Sequence, residues 1–536
     1  MEQDLKDFIK QFEAKSAPLI KQVNLAYFNA TISGKEDDYK LVNDLQIKLS
    51  DMFSNKEDFG KLKHFKESPN IVDSLLLRQL DVLYSAFLSS QIDEVKRKTM
   101  INLSTNIEQM YSTFRAEINN KKVSDNDIED LLTNSTNSKD LEAAWRASKK
   151  VGAFVADSVI KLVRLRNEVA KELGFNNYHQ MSLILSEQKP EEINAIFDEL
   201  DKFTTNLFVN EKDIIDNYFA KRYKVDKKDL MPWHYQNRFF QEAPKIYDMD
   251  LDVYFKDKDL VALTSNYYKS INLDVDDIIK RSDLFEKPGK NQHAYCTDID
   301  NEGDVRVLCN VKPNYKWMNT MLHEFGHSAY DKYIDIKLPY YLREPAHIFT
   351  TEAIAMMFGH FASSPQWLKD MLNISDIEAN KIKTDCFNTL KLEQLVFSRW
   401  SQVMYRFEKA MYENPEQDLN KLWWDLVEKY QMIKKPVGRN EPDWASKIHI
   451  ATSPCYYHNY QLGELFACQL SNYIIKNIIK SDDLYNQSFY NNPAVGAFLI
   501  DKVFKPGKKY YWNEMIQKAT GEKLTSKYFA LQFENK

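Results

Sequence analysis

Two histidines four residues apart, His323 and His327, enclose a glutamate in the run KWMNTMLHEFGHSAYDKY. On a helix that spacing stands the two imidazoles one turn apart on the same face. Two nitrogens so arranged suit Zn²⁺, which takes tetrahedral nitrogen and oxygen ligands at about 2.0–2.2 Å. Glu324 is rotated off the ligand row, where a carboxylate can take a proton from a zinc-activated water without binding the metal. This is the H-E-x-x-H arrangement of metallopeptidases. A third ligand is needed. In FTTEAIAMMFGHFA a second helix begins with Thr350, Thr351 and Glu352, and Glu352 in its first turn would complete a His₂Glu site. That site holds one zinc per chain and keeps its fourth position open for water. A tyrosine hydroxyl is a neutral donor for charge developing on a tetrahedral intermediate, worth about 2.7–4 kcal/mol when such a donor is removed. Tyr456, Tyr457 and Tyr460 are available, although a chain with 30 tyrosines also uses them as amphipathic core aromatics.

The elements that position these groups read as helices. Val155, Val159, Leu162, Val163, Val169 and Leu173 recur at helical spacing, with Gly174 as a stop. Similar patterns run from Asp4 to Val23, Ile71 to Leu88 and Glu192 to Phe219, while 119–127 and 133–140 read as polar loops with helix N-caps. Only 13 glycines and 16 prolines punctuate 536 residues, which favours long helices over any all-β architecture. One segment differs. Residues 293–311 alternate like two short strands around Asn301-Glu302-Gly303-Asp304, and a symmetric turn there sets Cys296 opposite Cys309, either as a cross-strand disulfide or, the favoured reading, as two reduced thiols in a half-buried hairpin.

The net charge of -6 comes from 72 basic and 78 acidic residues, well mixed, which argues against a nucleic-acid partner. Five cysteines, all in the second half, make no disulfide scaffold. No apolar run reaches the length of a membrane span. The charged start MEQDLKDFIKQFEAK lacks a secretory h-region, so the sequence as given reads as cytoplasmic, or as exported or periplasmic if a signal has been removed. No repeat or linker divides 1–536.

HEFGH followed by YLREPAHIFTTEA resembles the angiotensin-converting-enzyme (peptidyl-dipeptidase A) family of gluzincin peptidases, and more distantly the thimet-type oligopeptidases. The likeness extends to NLAYFNATIS (24–33), VRLRNEVAKELGFNNYHQM (163–181), WWDLVEKYQMIKKPVGRNEPDW and KIHIATSPCYYHNYQLGEL (447–465). The resemblance implies that His323, His327 and Glu352 hold zinc and that Glu324 is general base and later proton donor. It implies that His293 bonds the substrate backbone, that Lys447 grips the terminal carboxylate and that His449 bonds the peptide near the scissile bond. Tyr457 would join Lys447, Tyr460 would stabilise the oxyanion, and Gln236 would bind the carboxylate. Arg343 and Glu344 also match the family, as residues lining the cleft.

Three departures stand out. The segment between His449 and Tyr457 is one residue longer than the family pattern. Asn459 stands where animal members carry a chloride-binding arginine. Met356 replaces an aspartate that orients a zinc histidine, so another acceptor is required.

The expected protein is therefore mostly α: one large helical peptidase domain over 1–536, monomeric, with two lobes of interleaved segments around a deep central groove and a small β-hairpin near the zinc site. It would release C-terminal dipeptides from short peptides. An oligoendopeptidase or a carboxypeptidase would share the zinc chemistry, and a catalytically dead peptide-binding protein would share the fold.

Overall fold

The four amphipathic stretches form the helices Glu2–Ser33, Ser74–Ser89, Ser138–Glu172 and Pro190–Tyr223 in the computed structural model, which describes residues 1–247 and 249–534. Their ends follow side-chain chemistry. Asp73 accepts from the backbone of Leu75 and Leu76, so the second helix starts at Ser74 although the apolar pattern begins at Ile71. Asn137 caps the third through Lys139 N. That helix stops before Gly174, whose φ of 90° is the left-handed conformation glycine adopts without strain. Val155, Val159, Leu162, Val163 and Val169 are its buried stripe. The protein is mostly helical, with two small antiparallel hairpins among the described residues.

The first hairpin pairs β1 (Ala116–Ile118) with β2 (Lys121–Val123), in a stretch whose polarity reads as loop. Asn119 and Asn120, at φ 51° and 60°, make the two-residue turn that suits the twist of paired strands. The second hairpin pairs β3 (Tyr295–Asp298) with β4 (Val305–Leu308), Tyr295 opposite Leu308. Cys296 therefore faces Val307 and not Cys309, and both thiols are free. The turn sits one residue earlier than a symmetric Asn301–Asp304 turn requires. Asp298 Oδ1 accepts from the backbone of Asp300 and Asn301, and Ile299 N donates to Asp304 O.

The chain divides into two units of interleaved segments. The first comprises Met1–Gln91, Met249–Cys386 and Leu462–Gln532, and the two intervening segments form the second together with the residues from Phe533 on. In the first, Leu5, Phe12, Leu62, Leu80 and Phe87 belong to one buried cluster. The second is rich in packed indoles, with Trp145 tilted against Trp233 and Trp424 and with Trp400 edge-on to Trp423. Among the described residues, no helix is long and apolar enough to cross a membrane.

Candidate metal centre

The histidine pair lies on the helix Tyr315–Lys332, begun by Asn314, whose side chain accepts from Trp317 N. Met318, Met321, Leu322, Phe325 and Ala329 bury one face of it. The carbonyl of Leu322, just before His323, accepts from the buried Tyr268 Oη at 2.5 Å. Glu352 lies on the helix Ile348–Gly359, which starts two residues before Thr350 and so places the glutamate a full turn inside. Thr350 closes that helix's N-terminus, its hydroxyl accepting from His347 N and donating to His347 O. Phe349, Ala353, Ile354, Ala355, Met357 and Phe358 are all buried, the all-round pattern of a core helix and not of a surface one.

Close approach of these two helices depends on the glycine inside the motif. A Cβ on Gly326 would stand 2.9 Å from Ala355 Cα and 3.2 Å from its nitrogen. Within the same unit Gly463 plays a similar part, since a Cβ there would lie 3.3 Å from Glu352 Cβ.

The two histidines and the glutamate converge. Nε2 of His323 is 3.6 Å from Glu352 Oε2, and Nε2 of His327 is 3.8 Å from Oε1. Ligand atoms about 2.1 Å from a tetrahedral ion are separated by about 3.4 Å, so these spacings fit zinc with little adjustment. Among the described residues, this is the one group of three metal-capable side chains whose ligand atoms lie within 4.8 Å of one another. Burial holds His323 down at about 4 and His327 well below its usual range, so both are neutral, the form that binds metal. Burial pushes Glu352 up to about 7; burial and the neighbouring Glu352 push Glu324 up to about 8. A divalent cation acts in the opposite sense on both carboxylates. His327 Nδ1 lies 2.7 Å from Thr351 Oγ1, a contact the sequence pattern does not announce. His360 Nε2 is 3.6 Å from Glu464, and His293 is exposed before β3, its backbone N–H on Asn291 Oδ1. Arg343 donates to Leu338 O, and Glu344 pairs with Lys508.

Lys447 to Gln461 belong to the second unit. Lys447 is 7% exposed, its ammonium 5.4 Å from the ring centres of Phe239, Trp400 and Tyr457 and hydrogen-bonded to Gln241 Oε1. Burial lowers Lys447 to about 8. Gln236 is elsewhere. Its amide donates to Thr133 O at 3.2 Å and its oxygen accepts from Lys245 N at 3.0 Å, so Gln241 is the glutamine the structure brings to Lys447. A polar cavity of about 380 Å³ opens on both Gln241 and Lys447, with Arg238, Asp125 and Glu129 in its wall. The Tyr457 ring packs on His449 and Tyr460, each at 5.4 Å, and its hydroxyl accepts from Trp400 Nε1. Burial, then the Lys447 charge, lowers His449 to about 4, and its buried Nδ1 has no hydrogen-bond partner among the described residues. Asn459 is engaged by Gln188, which also bonds His458.

The sequence profile described as Peptidase_M2, angiotensin-converting enzyme, matches residues 1–534. The angiotensin-converting enzyme of Theromyzon tessulatum is 23% identical over 498 residues, covering 85% of this chain and 79% of its own length. That of Oryctolagus cuniculus is 25% identical over 459 residues, covering 79% of this chain and 34% of its own. That of Bos taurus is 21% identical over 559 residues, covering 97% of this chain and 42% of its own. The chain thus spans well under half the length of these two mammalian relatives. With a match that runs nearly end to end and contains His323, His327 and Glu352, the chain belongs to the angiotensin-converting enzyme family of peptidases.

Proposed function

We propose that this protein is a zinc-dependent peptidyl-dipeptidase that releases C-terminal dipeptides from short peptides. The observation that carries the reading is the meeting of two neutral imidazoles and one carboxylate, their ligand atoms within 4.8 Å of one another, next to the buried Glu324. Zinc held by His323, His327 and Glu352 would act as Lewis acid on the scissile carbonyl and bring a water's pKa to about 7.

The chain's own groups do the rest. Glu324 takes the proton of the attacking water and passes it to the leaving amine. Tyr460 donates its hydroxyl to the oxygen that gains negative charge. His449, neutral, donates one ring N–H to the peptide near the cut, and His293 bonds the substrate backbone. Lys447, Gln241 and Tyr457 hold the terminal carboxylate; the Lys447–Gln241 bond and the polar cavity beside it support this. Anchoring that carboxylate fixes where the cut falls, and two extended residues span about 7 Å.

Product identification on a free-ended peptide and its C-terminally amidated twin tests the reading. Dipeptides from the free acid, with the amide cut at least tenfold more slowly, are expected. Equal rates would indicate an oligoendopeptidase, in which Lys447→Ala would also leave turnover unchanged. Single amino acids would indicate a carboxypeptidase. Zinc content without turnover of a quenched peptide would indicate a binding protein.

A pH dependence follows from Lys447. An amine near 8 is charged below that pH and loses its charge above it. The preference for free acid over amide, measured as the ratio of kcat/KM values, should therefore fall as pH rises through about 8. A ratio that stays flat from pH 7 to 9.5 would remove Lys447 from the clamp.

A further inference from the structure

We infer that Thr351 is the positioning residue for His327, its side-chain oxygen holding that imidazole in the tautomer and ring plane that present Nε2 to the metal. The inference rests on the zinc reading above. Nε2 of His327 faces Glu352 at 3.8 Å, which leaves Nδ1 as the nitrogen free to find a partner. That partner is Thr351 Oγ1, 2.7 Å away, on a residue only 7% exposed and so poorly replaced by water. A histidine that ligates through one nitrogen and donates the other N–H to a fixed acceptor cannot turn about its Cβ–Cγ bond without losing that hydrogen bond.

The placement is economical. Three consecutive side chains at the start of one buried helix divide three tasks: Thr350 closes the helix end, Thr351 aligns His327, and Glu352 supplies a ligand atom. Met356, one turn beyond Glu352, carries a thioether that would lie 3.5 Å from a Cβ on Gly463, and it offers at most a weak acceptor. A hydroxyl in this role also differs from a carboxylate. It orients the ring without adding negative charge, so the only formal charge among the ligands and this orienting group is that of Glu352.

The test measures metal binding by the full chain and needs no turnover. Zinc affinity is determined by chelator competition for the wild type, Thr351→Ser, Thr351→Val and Thr351→Ala, and the visible spectrum of the Co²⁺-loaded form is recorded for each. The wild type and Thr351→Ser should bind one zinc with affinities within about threefold and give matching cobalt spectra. Thr351→Val should bind about 10–100-fold more weakly, with a shifted spectrum, while its metal-free melting temperature matches the wild type. Thr351→Ala, which also lacks the oxygen, makes the same comparison if valine disturbs packing. Wild-type affinity and spectrum in both variants would overturn the inference and leave the zinc reading standing. A wild type that binds no zinc would overturn both.

Discussion

Glu324→Gln should bind zinc nearly as well as the wild type and lose about 10²–10⁴-fold in kcat, the usual range for a general acid–base group. That is about 2.7–5.5 kcal/mol of barrier. The substitution keeps the shape of a side chain that is 8% exposed, so packing should change little. It removes the ability to take a proton. Burial and Glu352 already raise Glu324 to about 8, which marks the site as one where the protein alone disfavours a second carboxylate charge. A bound cation makes that charge tolerable and so couples the base to the metal. Turnover of a quenched peptide beside metal content by chelator titration checks this. Turnover within tenfold of the wild type would assign the proton transfer to another group.

Gly326→Ala is expected to damage both fold and site. The new methyl would meet Ala355 Cα at 2.9 Å, Ala355 N at 3.2 Å and Ile354 O at 3.3 Å, all backbone atoms that cannot swing aside. The two helices must separate, and overpacking of this kind costs about 1–3 kcal/mol. His327 is the next residue on one helix, and Glu352 lies three residues before Ala355 on the other. A shift of about 1 Å at such a constellation can cost about 10²-fold in rate. Lower thermal stability, weaker zinc binding and lost turnover should therefore appear together. Gly60→Ala is the matched control. Its Cβ would meet nothing within 4 Å on the exposed side of the helix Lys56–Lys66, so stability should rise by about 0.4–1 kcal/mol. An unaltered zinc affinity in Gly326→Ala would show that the helix crossing tolerates the extra atom.

The convergence of His323 and His327 was legible because a four-residue interval on a helix is local geometry. Glu352 is different: it is brought in by packing at Gly326 and Gly463, and spacing alone carries no such information. The long helices were legible from apolar periodicity and from caps such as Asn137. The exchange of Gln236 for Gln241 was not. Residues 235–247 include no helix or strand and pass through left-handed backbone at Gln236 and Phe240, so no period marks which amide faces Lys447. The Thr351 contact with His327 leaves no mark in the sequence, because a threonine inside an apolar helix normally bonds its own backbone. The first hairpin did leave a signal, the Asn119-Asn120 pair, hidden by strands of three residues each.

The interleaving of segments has a bearing on synthesis. Gly463, which packs against Glu352, is made more than a hundred residues after that glutamate. A nascent chain halted before Leu462 would carry His323, His327 and Glu352 but lack the contact of Gly463 with that glutamate. The surroundings of that carboxylate are therefore completed only once the third segment of the first unit, Leu462–Gln532, has been made.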